Sequence, residues 1–127
     1  MKWIPALMAL LLLAGCAAAP RKADGYRQIT MEEAITIMEE ESGYIILDVR
    51  TPEEYASGHI PGAINVPNEN IDTRQLPELP DKDQMILVYC RSGNRSKQAS
   101  EKLAALGYTN VVEFGGIRDW PGEVVSG

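Results

Sequence analysis

The chain has 127 residues, of which 45% are hydrophobic and 24% are charged, and its formal net charge is −6 at pH 7. This length and hydrophobic content suit one folded domain with one core. The acidic balance argues against nucleic-acid binding and against an electrostatic grip on anionic lipid, so we expect no nucleic-acid partner.

The N-terminal segment has the parts of a secretory signal in their usual order. Lys2 precedes an apolar stretch that closes with Leu-Ala-Gly-Cys at 13–16. This ending resembles a bacterial lipobox, which is cut just before the cysteine that then carries the lipid. We therefore predict a lipoprotein signal peptide over 1–15, a lipidated Cys16 with a tether over 16–27, and a folded domain over 28–125.

An uncleaved membrane anchor is the alternative for this segment. Residues 3–19 are about the shortest stretch that spans a bilayer, but Pro5 and the small residues at its end argue against an anchor. Both interpretations place the domain at a membrane and outside the cytoplasm. In a cell with two membranes we expect the outer one. Ala17 follows the lipid cysteine at the position where an Asp would resemble an inner-membrane retention signal.

The first half of the domain predicts two helices, each opened by a capping box. Thr30 and Glu33 form the first box, and the buried strand predicted over 44–47 follows it. Thr51 and Glu54 form the second, which has proline at the first helical position, where the missing N–H costs nothing. The second helix is short and is predicted to end near Gly58.

The rest of the domain alternates strands and helices around one segment that is hard to interpret. A turn over 59–62 leads to a short strand over 63–66, and proline-broken 67–83 predicts mostly loop with at most one short helix. A last strand is predicted over 111–114, followed by a glycine pair and a helical turn over 117–120. Strands that alternate with helices imply a parallel sheet covered on both faces.

The most informative residue is Cys90, which ends an apolar, β-prone run that begins at Met85. A polar loop follows, and the spacing of apolar residues predicts a helix over 96–106. A thiol between a strand end and a helix N-terminus lies where backbone N–H groups and the helix dipole favour an anion. We expect its pKa to fall below about 8.5, which makes the thiolate available as a nucleophile. The alternative is that Cys90 is simply a small buried hydrophobe.

The loop after Cys90 is rich in groups that bind anions. Two arginines and several small polar residues stand there, so we predict a substrate-binding loop formed by Arg91, Ser92, Gly93, Asn94, Arg95 and Ser96. If Cys16 is lipidated, the mature chain keeps one cysteine and forms no internal disulfide. A lone thiol in an oxidising compartment favours a working role for Cys90.

Four stretches, 48–50, 58–67, 90–96 and 115–120, together resemble a single-domain rhodanese. The resemblance implies a three-layer α/β/α sandwich on a five-stranded parallel sheet. It also implies a sulfurtransferase in which Cys90 takes a sulfane sulfur from a small anionic donor such as thiosulfate. The resulting persulfide passes its sulfur to cyanide or a thiol. The residues show no metal-ligand spacing and no cofactor motif, so we expect neither a metal nor a cofactor, and we expect a monomer.

The other motif residues are predicted to have structural roles. Asp48 and Arg50 follow a strand end and predict a structural ion pair beside the site, and the resemblance makes His59 a structural turn residue.

Two alternative functions remain open. A persulfide or redox carrier for a membrane partner would also use Cys90. Phosphatases and arsenate reductases of the same fold use a Cys-x5-Arg loop, whereas four residues separate Cys90 from Arg95.

Overall fold

The computed structural model describes residues 25–72 and 76–127, so the predictions for the signal peptide, Cys16 and most of the tether lie outside the described residues. The strands are β1 (Arg27–Gln28), β2 (Ile45–Asp48), β3 (Ile64–Asn65), β4 (Ile86–Cys90) and β5 (Val111–Gly116). The α-helices are α1 (Met31–Glu40), α2 (Pro52–Ser57) and α3 (Asn94–Ala105), and 3₁₀ turns span Asn68–Asn70 and Ile117–Asp119.

The five strands form one sheet in the order β1-β5-β4-β2-β3, and every neighbouring pair is parallel. β4 lies in the middle, and all five of its residues are buried. A central parallel strand is covered on both faces, which explains why its sequence is an unbroken apolar run. The predicted five-stranded parallel sheet is confirmed.

Alternation along β4 separates two apolar clusters, one on each face of the sheet. Val88 and Cys90 pack in the cluster that contains Ala99 of α3, whereas Leu87 packs in the cluster that contains Ala34 of α1. Successive side chains of a strand point to opposite faces, so α3 covers one face and α1 the other. This arrangement is the predicted three-layer sandwich.

Both capping boxes are present. The Thr30 hydroxyl accepts from the Glu33 amide at 3.0 Å, and the Glu33 carboxylate accepts from the Thr30 amide at 2.8 Å. Thr51 and Glu54 make the same reciprocal pair at the start of α2. These local hydrogen bonds satisfy backbone donors at each helix start, so the helix beginnings follow from short sequence patterns.

One strand was not predicted, and two element ends differ from the sequence prediction by two residues. β1 was not among the predicted strands, and it lies at the end of the predicted tether, where Tyr26 is already buried in the core. β1 is short and carries polar side chains, so it leaves no apolar periodicity to detect. α3 begins at Asn94, two residues before the predicted start, because Gly93 adopts a left-handed conformation (φ 110°) and ends the loop there. β5 continues to Gly116 rather than ending at Phe114.

The segment over 67–83 is loop apart from one 3₁₀ turn in its described residues, as predicted, and it buries Leu76 and Leu79. Within 25–72 and 76–127, no helix is both long enough and apolar enough to cross a bilayer.

Candidate active site

Cys90 is the last residue of β4 and lies at the carboxyl edge of the sheet, where parallel α/β proteins place their sites. Its side chain is buried, and the Gly93 amide donates to its Sγ at 3.0 Å. The loop thus turns back on the sulfur, and the first turn of α3 follows directly. We call this arrangement, the loop over 91–96 wrapped around Cys90 Sγ, the cradle; the sulfur lies at its floor.

Several groups determine the ionisation of Cys90. Burial raises the pKa of the thiol, but the hydrogen bond between Sγ and the Ser96 hydroxyl and those from the amides of Ser96, Gly93 and Ser92 outweigh burial. The net result is a thiol pKa below its ordinary value, as expected from the sequence. Hydrogen bonds to a charged form favour that form, so the cradle stabilises the thiolate.

Five of the six predicted loop residues lie either at the mouth of the cradle or at its floor. Arg91, Ser92 and Asn94 are exposed at the mouth, whereas Gly93 and Ser96 are buried beside Cys90. The side chains at the mouth are open to solvent, Arg95 is partly exposed, and the buried pair lies beside the sulfur.

Arg95 forms an ion pair with Glu54 of α2. Its Nη1 and Nη2 donate to the two carboxylate oxygens of Glu54 on α2 at 2.7 and 3.1 Å. This two-point contact fixes the active-site loop to the start of α2. Arg95 therefore pins the loop through a carboxylate, and its charge also interacts with Cys90.

The Arg95 ion pair predicts a pH-dependent contribution to stability. The Arg95 hydrogen bond, opposed by burial and helped by Thr51, lowers the pKa of Glu54 from 4.5 to about 2. A depressed carboxyl pKa stabilises the fold above about 4.5, and this stabilisation is lost as pH falls toward about 2. Glu54→Gln should therefore be less stable than wild type at neutral pH, and the difference should shrink through that range.

Denaturant unfolding of both proteins across the acid range measures this difference. Glu53→Gln is the matched control, because it removes the same charge one residue away at an exposed position. A deficit of Glu54→Gln that stays constant with pH would contradict the role given to the ion pair.

Asp48 and Arg50 form a buried network beside the site. Arg50 Nη2 donates to Asp48 Oδ2 at 2.6 Å and to the Gly58 carbonyl oxygen at 2.6 Å. The Tyr89 hydroxyl donates to the same Asp48 oxygen at 2.8 Å, and burial raises the pKa of Tyr89. These contacts tie the end of β2 to the end of α2 and to β4, so the pair supports the sheet edge under the loop.

His59 is positioned by contacts with α2 and with the C-terminal segment. Its Nδ1 donates to the Tyr55 carbonyl oxygen at 2.8 Å, and the two rings stack with centroids 3.7 Å apart. Its backbone pairs with Val125 in an antiparallel bridge. The histidine therefore joins α2 to the C-terminal segment, a structural arrangement like the one that the resemblance implied.

Two residues that the sequence analysis did not single out lie at the site. Glu113 of β5 is buried, and its Oε2 accepts from the Ser96 hydroxyl at 2.5 Å. Gly116 passes so close to the loop that an added Cβ would lie 2.0 Å from the Arg91 carbonyl oxygen. The sequence features that could have pointed to these two residues were an acidic residue inside an apolar strand and a glycine pair at the end of that strand.

Comparison with known proteins identifies the family. The family model described as "Rhodanese-like domain" matches residues 30–123. The chain belongs to the rhodanese-like family. The match includes the α-helices, strands β2 to β5 and the Cys90 loop, so the fold described above is that of a rhodanese-like domain.

Curated and solved relatives agree with this assignment. The thiosulfate sulfurtransferase PspE of Escherichia coli is 44% identical over 73 residues, which cover 58% of this chain and 70% of PspE. The thiosulfate sulfurtransferase GlpE of Pseudomonas entomophila is 34% identical over 107 residues, covering 80% of this chain and 94% of GlpE. A solved rhodanese with anions from E. coli superposes with a TM-score of 0.61 at 40% identity, covering 66% of this chain and 99% of that one.

Over 25–72 and 76–127, no group of three or more His, Cys, Asp or Glu side chains could hold a metal ion.

Proposed function

We propose that this rhodanese-like chain is a sulfurtransferase that moves a sulfane sulfur from thiosulfate to a thiophilic acceptor through a persulfide on Cys90. The observation that supports it most strongly is the cradle, in which loop amides and the Ser96 hydroxyl lower the pKa of a thiol at the start of a helix. A thiolate is the nucleophile that sulfur transfer requires.

The proposed reaction has two displacements. In the first, the Cys90 thiolate attacks the outer sulfur of thiosulfate, a sulfur–sulfur bond forms, and the donor's sulfur–sulfur bond breaks as sulfite leaves with the electron pair. In the second, cyanide or a thiolate attacks the outer sulfur of the persulfide, and the Cys90 thiolate leaves. The persulfide is an anion in this state, and the amides that point at the sulfur would stabilise it.

The mouth of the cradle suits an anionic donor. Arg91 is exposed there on a chain of net charge −6, so it forms a local positive spot on an acidic protein. Such a spot attracts a small dianion without binding nucleic acid. PspE and GlpE carry the name thiosulfate sulfurtransferase, and a solved relative is described with anions, which supports thiosulfate as the donor class.

Mass spectrometry of the intact full chain tests the proposal. Incubation with thiosulfate should add one sulfur at Cys90, and cyanide should remove it while thiocyanate appears. A chain that takes up sulfur but does not release it to cyanide would support the carrier alternative. A chain that takes up no sulfur would contradict the persulfide mechanism.

We also propose that the chain is a lipoprotein held at a membrane outside the cytoplasm through a lipid on Cys16. The support is the signal-like sequence that ends in Leu-Ala-Gly-Cys. One acyl chain binds a membrane only marginally, so durable anchoring needs the two or more chains that a lipobox cysteine typically receives. The polar tether would let the domain stand away from the bilayer.

Cys16→Ser should stop lipid attachment and leave an uncut precursor or a mislocalised form. Growth of cells with a clickable fatty acid, followed by detection of the labelled protein, measures this directly. The thiol chemistry of Cys90 in the purified variant should be unchanged, which serves as the control. Wild-type protein that stays in the membrane fraction without taking up label would support the uncleaved anchor instead.

A further inference from the structure

Arg118 is an exposed arginine outside the active-site loop that lies beside the mouth of the cradle. It belongs to the 3₁₀ turn Ile117–Asp119, directly after β5, and its amide donates to the Arg91 carbonyl oxygen at 3.4 Å. Gly116 passes so close to the same carbonyl group that there is no room for a Cβ between them. The backbone that carries Arg118 is therefore in contact with the backbone of the active-site loop.

The packing of its neighbours leaves Arg118 at the surface. Ile117 and Trp120 pack against the core cluster on the α1 face of the sheet, and the Trp120 indole nitrogen donates to the Glu123 carbonyl oxygen at 2.9 Å. These contacts fix the turn on both sides of Arg118, which itself is exposed. An arginine in a fixed turn offers its guanidinium group from a defined position.

Strand register brings the exposed arginines Arg91 and Arg118 to one edge of the sheet. β4 and β5 are parallel neighbours, and Cys90 pairs with Gly116. Neighbouring strands lie about 4.8 Å apart. Arg91 follows Cys90 by one residue and Arg118 follows Gly116 by two, so both leave the sheet at its carboxyl edge, where the reactive sulfur lies.

These two arginines carry charges that the described residues do not neutralise. Within the part of the chain that the structure describes, no carboxylate forms an ion pair with Arg91 or Arg118, although the exposed Asp119 follows Arg118 directly. Arg95, by contrast, is paired with Glu54. Two neighbouring cations repel each other, and an anion between them relieves that repulsion. A guanidinium group also matches an oxyanion through two parallel hydrogen bonds.

We propose that Arg118, together with Arg91, binds the sulfonate end of the sulfur donor and so selects donors whose transferred sulfur is bonded to an oxyanion. Cys90 attacks the outer sulfur from the floor of the cradle, and the leaving group of such a displacement departs on the opposite side, toward the mouth. The sulfur–sulfur bond of the donor breaks and sulfite takes the electron pair, so negative charge grows on oxygens that face the two arginines. This inference rests on the proposed function, because it takes Cys90 as the nucleophile and an S-sulfonate as the donor.

Alkylation of Cys90 with two reagents of different charge tests the proposal without a sulfur donor. Iodoacetate is an anion and iodoacetamide is neutral, and both react with the same thiolate, so the ratio of their rates cancels any change in thiol ionisation. The rates are followed on the full chain through the peptide that contains Cys90. Arg118→Gln should lower the iodoacetate-to-iodoacetamide ratio about threefold to fivefold, and Arg118→Lys, which keeps the charge, should retain most of the wild-type ratio.

Sulfur loading from thiosulfate measures the effect on the donor itself. The thiosulfate concentration that gives half-maximal uptake should rise about fivefold or more in Arg118→Gln, because the sulfonate loses charge-assisted hydrogen bonds. Arg118→Lys should show a smaller rise. A half-maximal concentration in Arg118→Gln equal to that of wild type would overturn the proposal.

Lys97→Gln is the matched control, since it removes one positive charge at an exposed position of α3. It should change the alkylation ratio by less than about twofold. An unchanged ratio in Arg118→Gln, or an equal fall in Lys97→Gln, would overturn the proposal, because the second result means that only the overall charge matters. If wild type takes up no sulfur, the proposed function fails, whereas the alkylation ratio still decides whether Arg118 binds anions at the mouth.

Discussion

Cys90→Ser is expected to abolish both persulfide formation and thiocyanate production. The serine hydroxyl does not ionise near neutral pH and cannot hold a sulfane sulfur, so turnover should fall by at least about a thousandfold. The fold should remain, because the smaller side chain stays within reach of the amide that now contacts the sulfur. The expected loss of stability is about 1 kcal/mol.

Intact mass after thiosulfate treatment and the rate of thiocyanate formation measure these two losses. Ser100→Ala is a useful control, because it removes a buried hydroxyl of α3 that has no hydrogen-bond partner in the described structure. This variant should take up sulfur as wild type does. Turnover that persists in Cys90→Ser would exclude the persulfide mechanism.

Gly116→Ala is expected to damage the site through a steric collision rather than through backbone strain. Gly116 has φ −138°, which any residue adopts, but an added Cβ would lie 2.0 Å from the Arg91 carbonyl oxygen and 2.7 Å from Ser92 Cα. Both contacts are with backbone, so the loop has to move. A displacement of about 1 Å at a reacting centre costs about a hundredfold in rate, and overpacking costs about 1–3 kcal/mol of stability.

Gly115→Ala separates the collision from backbone strain. Gly115 has φ 105°, and nothing lies within 4 Å of its added Cβ, so this substitution strains the backbone without pushing on the loop. It should cost about 1–2 kcal/mol and leave much more sulfur transfer than Gly116→Ala does. Denaturant unfolding and thiocyanate production compare the two variants. Equal turnover in both would show that the close approach of β5 does not shape the cradle.

Sequence patterns by themselves determined the parts of this protein that depend on near neighbours. Thr30 with Glu33 and Thr51 with Glu54 predicted two helix starts, because each capping box closes within four residues. The apolar run before Cys90 predicted a buried parallel strand, and the polar loop after it predicted an anion cradle. The short, polar β1 gave no such signal, because its two residues carry polar side chains and show no apolar periodicity.

Only the tertiary structure decided which distant side chains meet under the loop. Arg95 pairs with Glu54 across 41 positions, and Ser96 reaches Glu113 across 17. Periodicity shows which face of a strand or helix a residue occupies, but not the partner that the neighbouring element places opposite it. Strand order and register bring β5 beneath α3, and this packing turns a glutamate in an apolar strand and a glycine at its end into parts of the site.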